Sequence, residues 1–358
     1  MDNYAIYRLP GQDECVCLSS KSQPIALDAV SDLNGRSGFV FAPFDPSEET
    51  PVLLLVPDQV EVLKIGASKG ADQLDAGISD AGKSHDLSSE WESYQKMFAA
   101  FHGQLTGKEF QKIVLARRSR RYIENLPTPE ELFQKACRCY PHLFVALVST
   151  QEGGTWLTAT PEILLKGSGR IWQTIALAGT MKSGDTRMPF PQNPYRDPAL
   201  RNALWTKKNI HEQALVADYI EKCVDRFSNQ LEKTPPYTTR AADLLHLRSD
   251  FRFTLPDHDH LGDLLDALHP TPAVCGLPKK KARRFILENE CAPRRYYSGF
   301  QGPLSFQGET HLYVTLRCME LTAHYCDLYA GGGLLNDSHC EDEWLETGAK
   351  LGTMERLL

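Results

Sequence analysis

No apolar run in this chain approaches the roughly 20 residues that span a bilayer. Its start, Met1-Asp2-Asn3-Tyr4-Ala5-Ile6-Tyr7-Arg8, lacks the basic residues and apolar stretch of a signal peptide. The two absences lead us to expect a cytoplasmic protein with no membrane partner. Positive charge is not in excess either. Lys and Arg number 39 against 46 Asp and Glu, a formal net charge of -7, which argues against general nucleic-acid binding. The 10 cysteines include no CxxC pair, the closest being Cys15/Cys17 and Cys137/Cys139. That spacing excludes a zinc ribbon or a redox dithiol and leaves reduced structural thiols. GxGxxG and HExxH are also missing, so dinucleotide-binding and zinc-protease signatures have no match here.

What remains is a composition of 42% hydrophobic and 24% charged residues, enough apolar surface for a sizeable core. Residues 1 to about 64 read as short strands, among them Phe39-Val40-Phe41-Ala42 and Val52-Leu53-Leu54-Leu55-Val56, each stopped by a proline. Gly66 to Ser88 is rich in Gly, Ser, Ala and Asp and reads as a mobile surface loop. Ser89-Glu90-Trp91-Glu92 reads as a capping box for a helix through about Ala100, and Thr128-Pro129-Glu130-Glu131 as a second helix start. Strands are expected near 143–149, 155–159, 163–166 and 171–175, and a long helix from Pro198 to about Leu231. Shorter helices follow at 258–268 and 279–290, then strands at 311–321 and 324–330. Hairpin-like pairs outnumber βαβ units, which predicts an α+β fold with mainly antiparallel sheets in layers flanked by helices. No linker divides the chain cleanly. Residues 1–95 are read as a variable β-rich part of the same domain, and 96–358 as its catalytic core.

Few residues can carry chemistry. Lys112 opens the apolar strand Ile113-Val114-Leu115-Ala116. Such a lysine usually snorkels to solvent; facing a closed cavity, it would lose its proton more easily and could act as a base. Glu162 follows Pro161 between two apolar runs, placed either as an edge-strand residue at a bulge or as a core-facing carboxyl acting as an acid. Arg317 is a charge in an apolar strand and needs an anionic partner. The two basic clusters, Arg117 to Arg121 and Lys279 to Arg284, read as solvated faces. The end of the chain is the richest segment. Gly331-Gly332-Gly333 reads as a turn that lets backbone approach a ligand. Ser338 then offers an N-cap with Glu341, and Glu343, Glu346 and Lys350 share one helical face. Clustered carboxylates beside such a turn suit a divalent cation backed by an anionic small molecule.

Read in order, these segments resemble the chorismate-utilising enzymes: isochorismate, salicylate, anthranilate and aminodeoxychorismate synthases. The matching pieces are Lys112 to Arg117, Thr160-Pro161-Glu162, Leu177 to Thr180, Lys208 to Glu212, His269 to Pro278, Tyr297-Ser298-Gly299, Arg317 and the glycine–glutamate segment. The resemblance spans roughly residues 100–358. It implies a single domain with the site between sheet layers, chorismate as substrate and Mg²⁺ as cofactor. By position, Glu212, Glu343 and Glu346 would hold the metal, with Lys112 and Glu162 catalytic. Ala178, Gly179, Thr180, His269, Thr271, Ala273, Tyr297, Arg317, Gly332, Gly333 and Lys350 would bind substrate. Aminodeoxychorismate synthases carry a lysine where Ala178 stands, and the form with His269, Thr271 and Ala273 resembles isochorismate synthases most. Salicylate and anthranilate synthases are the alternatives. The resemblance further implies a monomer without a glutaminase subunit, whose product feeds menaquinone or siderophore formation. Two departures stand out: Glu212-Gln213 where the family usually has Glu-His, and Thr160-Pro161-Glu162 where it has Ser-Pro-Glu.

Overall fold

Bulky side chains alternate along the strands and so need cover on both faces of each sheet. In the computed structural model, which describes residues 3–65, 87–182, 205–241 and 244–358, two antiparallel sheets supply that cover for each other. The first sheet runs, in spatial order, Gly276–Leu277, Lys112–Tyr122, Tyr325–Leu334, Cys318–Leu321, Gly154–Thr160, Phe144–Thr150, Asn3–Arg8, Glu14–Ser20 and Gln59–Lys64. The second runs Leu231–Lys233, Leu244–Thr254, Ile171–Lys182, Ile163–Ser168, Glu309–Val314, Phe300–Leu304, Gly38–Ala42, Val52–Leu55 and Ile25–Leu27, with Tyr237–Ala241 also paired to Leu244–Thr254. Phe39, Phe41, Phe144, Trp156, Tyr313 and Tyr329 fill the space between them. There Phe144 stacks on Tyr313 with ring centroids 4.2 Å apart, a contact that adds to the burial of both rings.

The outer faces are covered by helices α1 (Leu87–Thr106), α2 (Pro129–Cys139), α3 (Lys207–Val224), α4 (Leu261–Leu268), α5 (Lys279–Asn289) and α6 (Cys340–Glu355). Helices α3 and α4 lay Val216, Ile220, Leu264 and Leu265 on the second sheet, while α1, α2, α5 and α6 cover the first. The result is the α+β, antiparallel, layered architecture expected from the sequence. Residues 3–65 contribute strands to both sheets, through Asn3–Arg8 beside Phe144–Thr150 and Gly38–Ala42 beside Phe300–Leu304. Among the described residues no helix is long and apolar enough to cross a membrane.

Local signals held where chemistry was explicit. Thr128 accepts from Glu131 N while Glu131 answers on Thr128 N, the expected capping box. Four expectations change. Helix α1 already includes Leu87, so Ser89 lies within it rather than capping it. Helix α3 ends at Val224, not Leu231, because Ser228 Oγ bonds the backbone of Gln230 and turns the chain toward the strand Leu231–Lys233. The expected strand 311–321 is two strands in different sheets, separated at Arg317, whose φ of 48° reverses the chain direction. Gly331–Gly333 is no turn at all but the end of the strand Tyr325–Leu334, paired with Val114 to Ala116. The expected loop from Gly66 lies almost wholly outside the described residues, as do positions 198–204 of the expected long helix.

Two chain crossings set up the site. The strand Gly154–Thr160 of the first sheet passes to Ile163–Ser168 of the second through Pro161-Glu162, and Glu309–Val314 returns to Cys318–Leu321 through Arg317. The crossings lie side by side, with Val314 N donating to Glu162 O at 2.9 Å and Ala159 N to Arg317 O at 3.0 Å. Glu162 and Arg317 therefore sit where the sheets exchange chain, and their side chains enter the space between layers.

Candidate active site

A cavity opens beside these crossings, lined by Glu162, Ala178, Gly179, Thr180, Glu212, His246, Ala273, Tyr297, Arg317, Gly331, Gly333, Glu346 and Lys350 among others. Its floor is the glycine strand. These glycines have ordinary extended backbone, so what they provide is space rather than unusual φ. A Cβ on Gly333 would fall 2.1 Å from Glu212 Oε1 and 2.8 Å from Lys112 Cε. One on Gly332 would fall 2.8 Å from Glu343 Oε2. Successive residues of a strand point to opposite faces, so bare backbone admits Glu212 on one side and Glu343 on the other. Gly333→Ala should therefore displace both Glu212 and Lys112. We expect kcat to fall on the order of 10²-fold, the usual cost of a misplacement of about 1 Å, with a melting curve that still shows a cooperative fold.

Three lysines and three glutamates are matched one to one. Lys112 Nζ lies 2.8 Å from Glu212 Oε1, Lys350 Nζ 2.8 Å from Glu346 Oε1, and Lys208 Nζ bonds Glu343 Oε1. Lys112 has no exposed surface, so it does not snorkel. Burial pushes the Glu212 carboxyl up, but Lys112 first and then Lys208 and Lys350 outweigh it and hold the group below its usual range. For Glu343 burial and the neighbouring Glu346 prevail over Lys208 and raise it. Burial would lower Lys208, yet Glu343 keeps it raised. Among the described residues no three His, Cys, Asp or Glu side chains are gathered into a metal-binding group. Carboxylate oxygens nevertheless suit a hard cation: Glu212 and Glu346 bring them to the cavity, and across the floor Glu343 Oε2 is buried without a partner among the described residues.

Glu162 is the group most changed by its surroundings. Burial drives its carboxyl up to about 8, against the pull of Lys112, Lys350 and Arg317. It is thus protonated at neutral pH, the form a general acid needs. Arg317 is buried as well, which pulls its guanidinium down to about 10. Its side-chain hydrogen bonds go to neutral groups, Thr353 Oγ1 at 3.3 Å and His246 Nε2 at 3.0 Å. An arginine offers only donors, so His246 Nε2 accepts and the proton sits on Nδ1, facing Gly179 O at 3.2 Å. Burial, Arg317 and Lys350 hold His246 far below its usual range, so it stays neutral and leaves the guanidinium charge for an anion. Tyr297 stacks on Tyr329 with centroids 5.5 Å apart, and its hydroxyl oxygen lies 2.8 Å from where a Cβ on Gly331 would be.

The structure thus brings Lys112, Glu162, Ala178, Gly179, Thr180, Glu212, Ala273, Tyr297, Arg317, Gly333, Glu346 and Lys350 together. It does not bring all the predicted residues to the cavity. His269 Nε2 donates to Pro43 O at 3.0 Å, its ring edge meets Phe300, and burial pushes it down to about 3. Thr271 is not among the cavity-lining residues, and its main-chain carbonyl accepts from Val274 N and Cys275 N. Gly332 and Glu343 lie on the outer side of the floor. Ser338 does not cap α6, whose N-cap is His339; its hydroxyl donates to Glu343 Oε1 at 2.7 Å. Gln213 turns away from Glu212 and bonds the backbone of the strand Ile171–Lys182. His246 was not singled out from the sequence, although a lone histidine between Leu245 and Leu247 is the same kind of signal as Arg317. A second cavity, between α1 and the Lys112–Tyr122 strand, is lined by Glu90, Arg117, Glu290 and Arg294, which already pair with each other.

A buried carboxyl raised to about 8, a buried lysine and further cations between two sheets suit acid–base chemistry on a small anion. The profile of the family described as chorismate binding enzyme matches residues 64–358. The chain belongs to that family. Isochorismate synthase DhbC of Bacillus subtilis is 30% identical over 95% of this chain and 82% of its own length. The vibriobactin-specific isochorismate synthase of Vibrio cholerae is 28% identical over 88% of this chain and 78% of its own. The structure of MenF, the menaquinone-specific isochorismate synthase of Escherichia coli, superposes with a TM-score of 0.80 at 21% identity, covering 99% of this chain and 88% of that one.

Proposed function

We propose that this chain is an isochorismate synthase that isomerises chorismate, with Glu162 as the acid and Lys112 as the base. The observation that carries this reading is the buried Glu162, its carboxyl raised to about 8, in a cavity that Arg317, Lys350, Glu212 and Glu346 also line, with Lys112 paired to Glu212 beside it. Lys112 takes the proton of a water attacking ring C2 while Glu162 donates to the hydroxyl leaving C4, and the double bonds shift between them. To do so Lys112 Nζ must first leave Glu212 Oε1. Arg317 receives the carboxylate of the enolpyruvyl arm, its charge left open by neutral His246. Glu212 and Glu346, the two metal candidates that line the cavity, would hold Mg²⁺, which would neutralise the ring carboxylate; Glu343, across the floor, would not reach it. Ala178 offers no amine for a covalent adduct, and the reaction uses water, so no ammonia-supplying subunit is invoked.

Incubation of purified protein with chorismate and Mg²⁺, followed by product identification, tests the reading. Isochorismate without pyruvate is expected. Pyruvate release would make the protein a salicylate synthase, and a product formed only with added ammonium would move it to the anthranilate branch.

A further inference from the structure

The strand Ile171–Lys182 is paired with Leu244–Thr254 along its length on one side. On the other side it meets a strand only from Ile171 to Gln173. Beyond that no strand among the described residues lines this edge, which Ala176 O and Ala178 N face. Gln213, 2% exposed on α3, fills this gap. Its Oε1 accepts from Ala178 N at 2.9 Å, and its Nε2 donates to Ala176 O at 3.2 Å and faces Ser249 Oγ at 3.4 Å. One side-chain amide thus meets a carbonyl and an N–H two residues apart, as the N–H and C=O of a single residue on an adjacent parallel strand would. Ala178 is the last residue before the pairing register shifts at Gly179, whose φ is 68°. Gly179 and Thr180 then form the cavity wall and touch His246. The preceding residue of α3, Glu212, reaches the floor at Gly333.

We propose that Gln213 is a positioning residue: its amide replaces a missing strand, and so holds the Ala178–Thr180 wall and the Glu212 carboxylate in one frame that sets affinity for the anionic substrate. The donor and the acceptor must point the same way, which an amide allows. The two ring nitrogens of a histidine, the residue usual here in the family, point away from each other and cannot serve both Ala176 O and Ala178 N. The proposal rests on chorismate being the substrate, and the test separates the two.

The experiment compares Gln213→Glu and Gln213→Leu with the wild-type chain in the Mg²⁺-loaded chorismate assay from pH 5.5 to 8.5. A protonated glutamate reproduces the amide's acceptor and donor; an ionised one turns a second acceptor toward Ala176 O. We expect the variant-to-wild-type KM ratio of Gln213→Glu to be near one at the acid end and to rise on the order of tenfold with pH, the scale of a lost buried hydrogen bond. Its kcat ratio should move less than about threefold. Gln213→Leu should show the raised KM at every pH. A Gln213→Leu KM equal to wild type, or a flat Gln213→Glu ratio, would overturn the proposal, as would kcat and KM changing in parallel. A substrate-free reading comes from the melting temperature of Gln213→Glu, whose deficit against wild type should grow as pH rises. A pH-independent deficit also overturns the tie, whereas wild-type protein that leaves chorismate unchanged counts only against the proposed activity.

Discussion

Glu162→Gln lowers kcat by about 10²–10⁴-fold, the contribution expected of a positioned general acid, while the protein stays folded. The amide keeps the size and hydrogen-bonding capacity of the protonated carboxyl but has no proton to give. Because burial holds the Glu162 carboxyl at about 8, wild-type kcat should fall about tenfold per pH unit above that value as the acid ionises. Stability supplies an independent check. The folded carboxyl binds its proton far more tightly than the unfolded one, whose ordinary pKa is about 4.3. Between these values the folded state holds more protons than the unfolded state, so stability falls as pH rises from about 4.3 to 8 and levels off above. Glu162→Gln should lose that decline, so its melting temperature gains on wild type as pH rises. Turnover within tenfold of wild type would remove Glu162 from the acid's role.

Lys112→Ala should be equally severe for turnover, on the order of 10²–10⁴-fold in kcat, and should also weaken the fold. Lys112 is the partner of Glu212 at 2.8 Å in a fully covered position. Removing it leaves a carboxylate buried without its main counter-charge, a change that costs about 3–5 kcal/mol in comparable pairs. The sign with pH is opposite to that of Glu162. Glu212 is held below its usual range, so its contribution to stability is present above the unfolded pKa and fades as pH falls. The melting deficit of Lys112→Ala should therefore shrink toward acid pH. Lys112→Gln, which retains bulk and a hydrogen-bond donor but not the charge, should recover part of the stability and none of the turnover. Recovery of turnover as well would place the base elsewhere.

The layered antiparallel fold was legible because its local causes are local in sequence: apolar runs stopped by prolines, and a capping box at Thr128. Glu162 and Lys112 stood out as candidates because a charge inside an apolar run has few explanations. The crossings were not. A strand pattern carries no mark of which sheet it joins, so Val314 to Cys318 looked continuous although Arg317 reverses it. Helix spacing put Glu343 and Glu346 on one face, but not on which side of the floor each would lie. His269 and Thr271 illustrate the same limit, since a motif names residues without giving the direction of their side chains. The glycine run was read as a turn because turns are the commoner use of glycine. Its reason became visible only with Glu212 and Glu343 in place on either side.

That floor has one consequence for how such a site can change over generations. A wall of side chains can be reshaped one substitution at a time, but a floor made of peptide groups offers selection nothing to exchange. At Gly331, Gly332 and Gly333 each larger residue meets a tyrosine hydroxyl or a carboxylate. New preferences for substrate or product must then be written elsewhere, in the Ala178–Thr180 wall, at Ala273 or around Tyr297. Such a floor should stay constant while variation is confined to the rim.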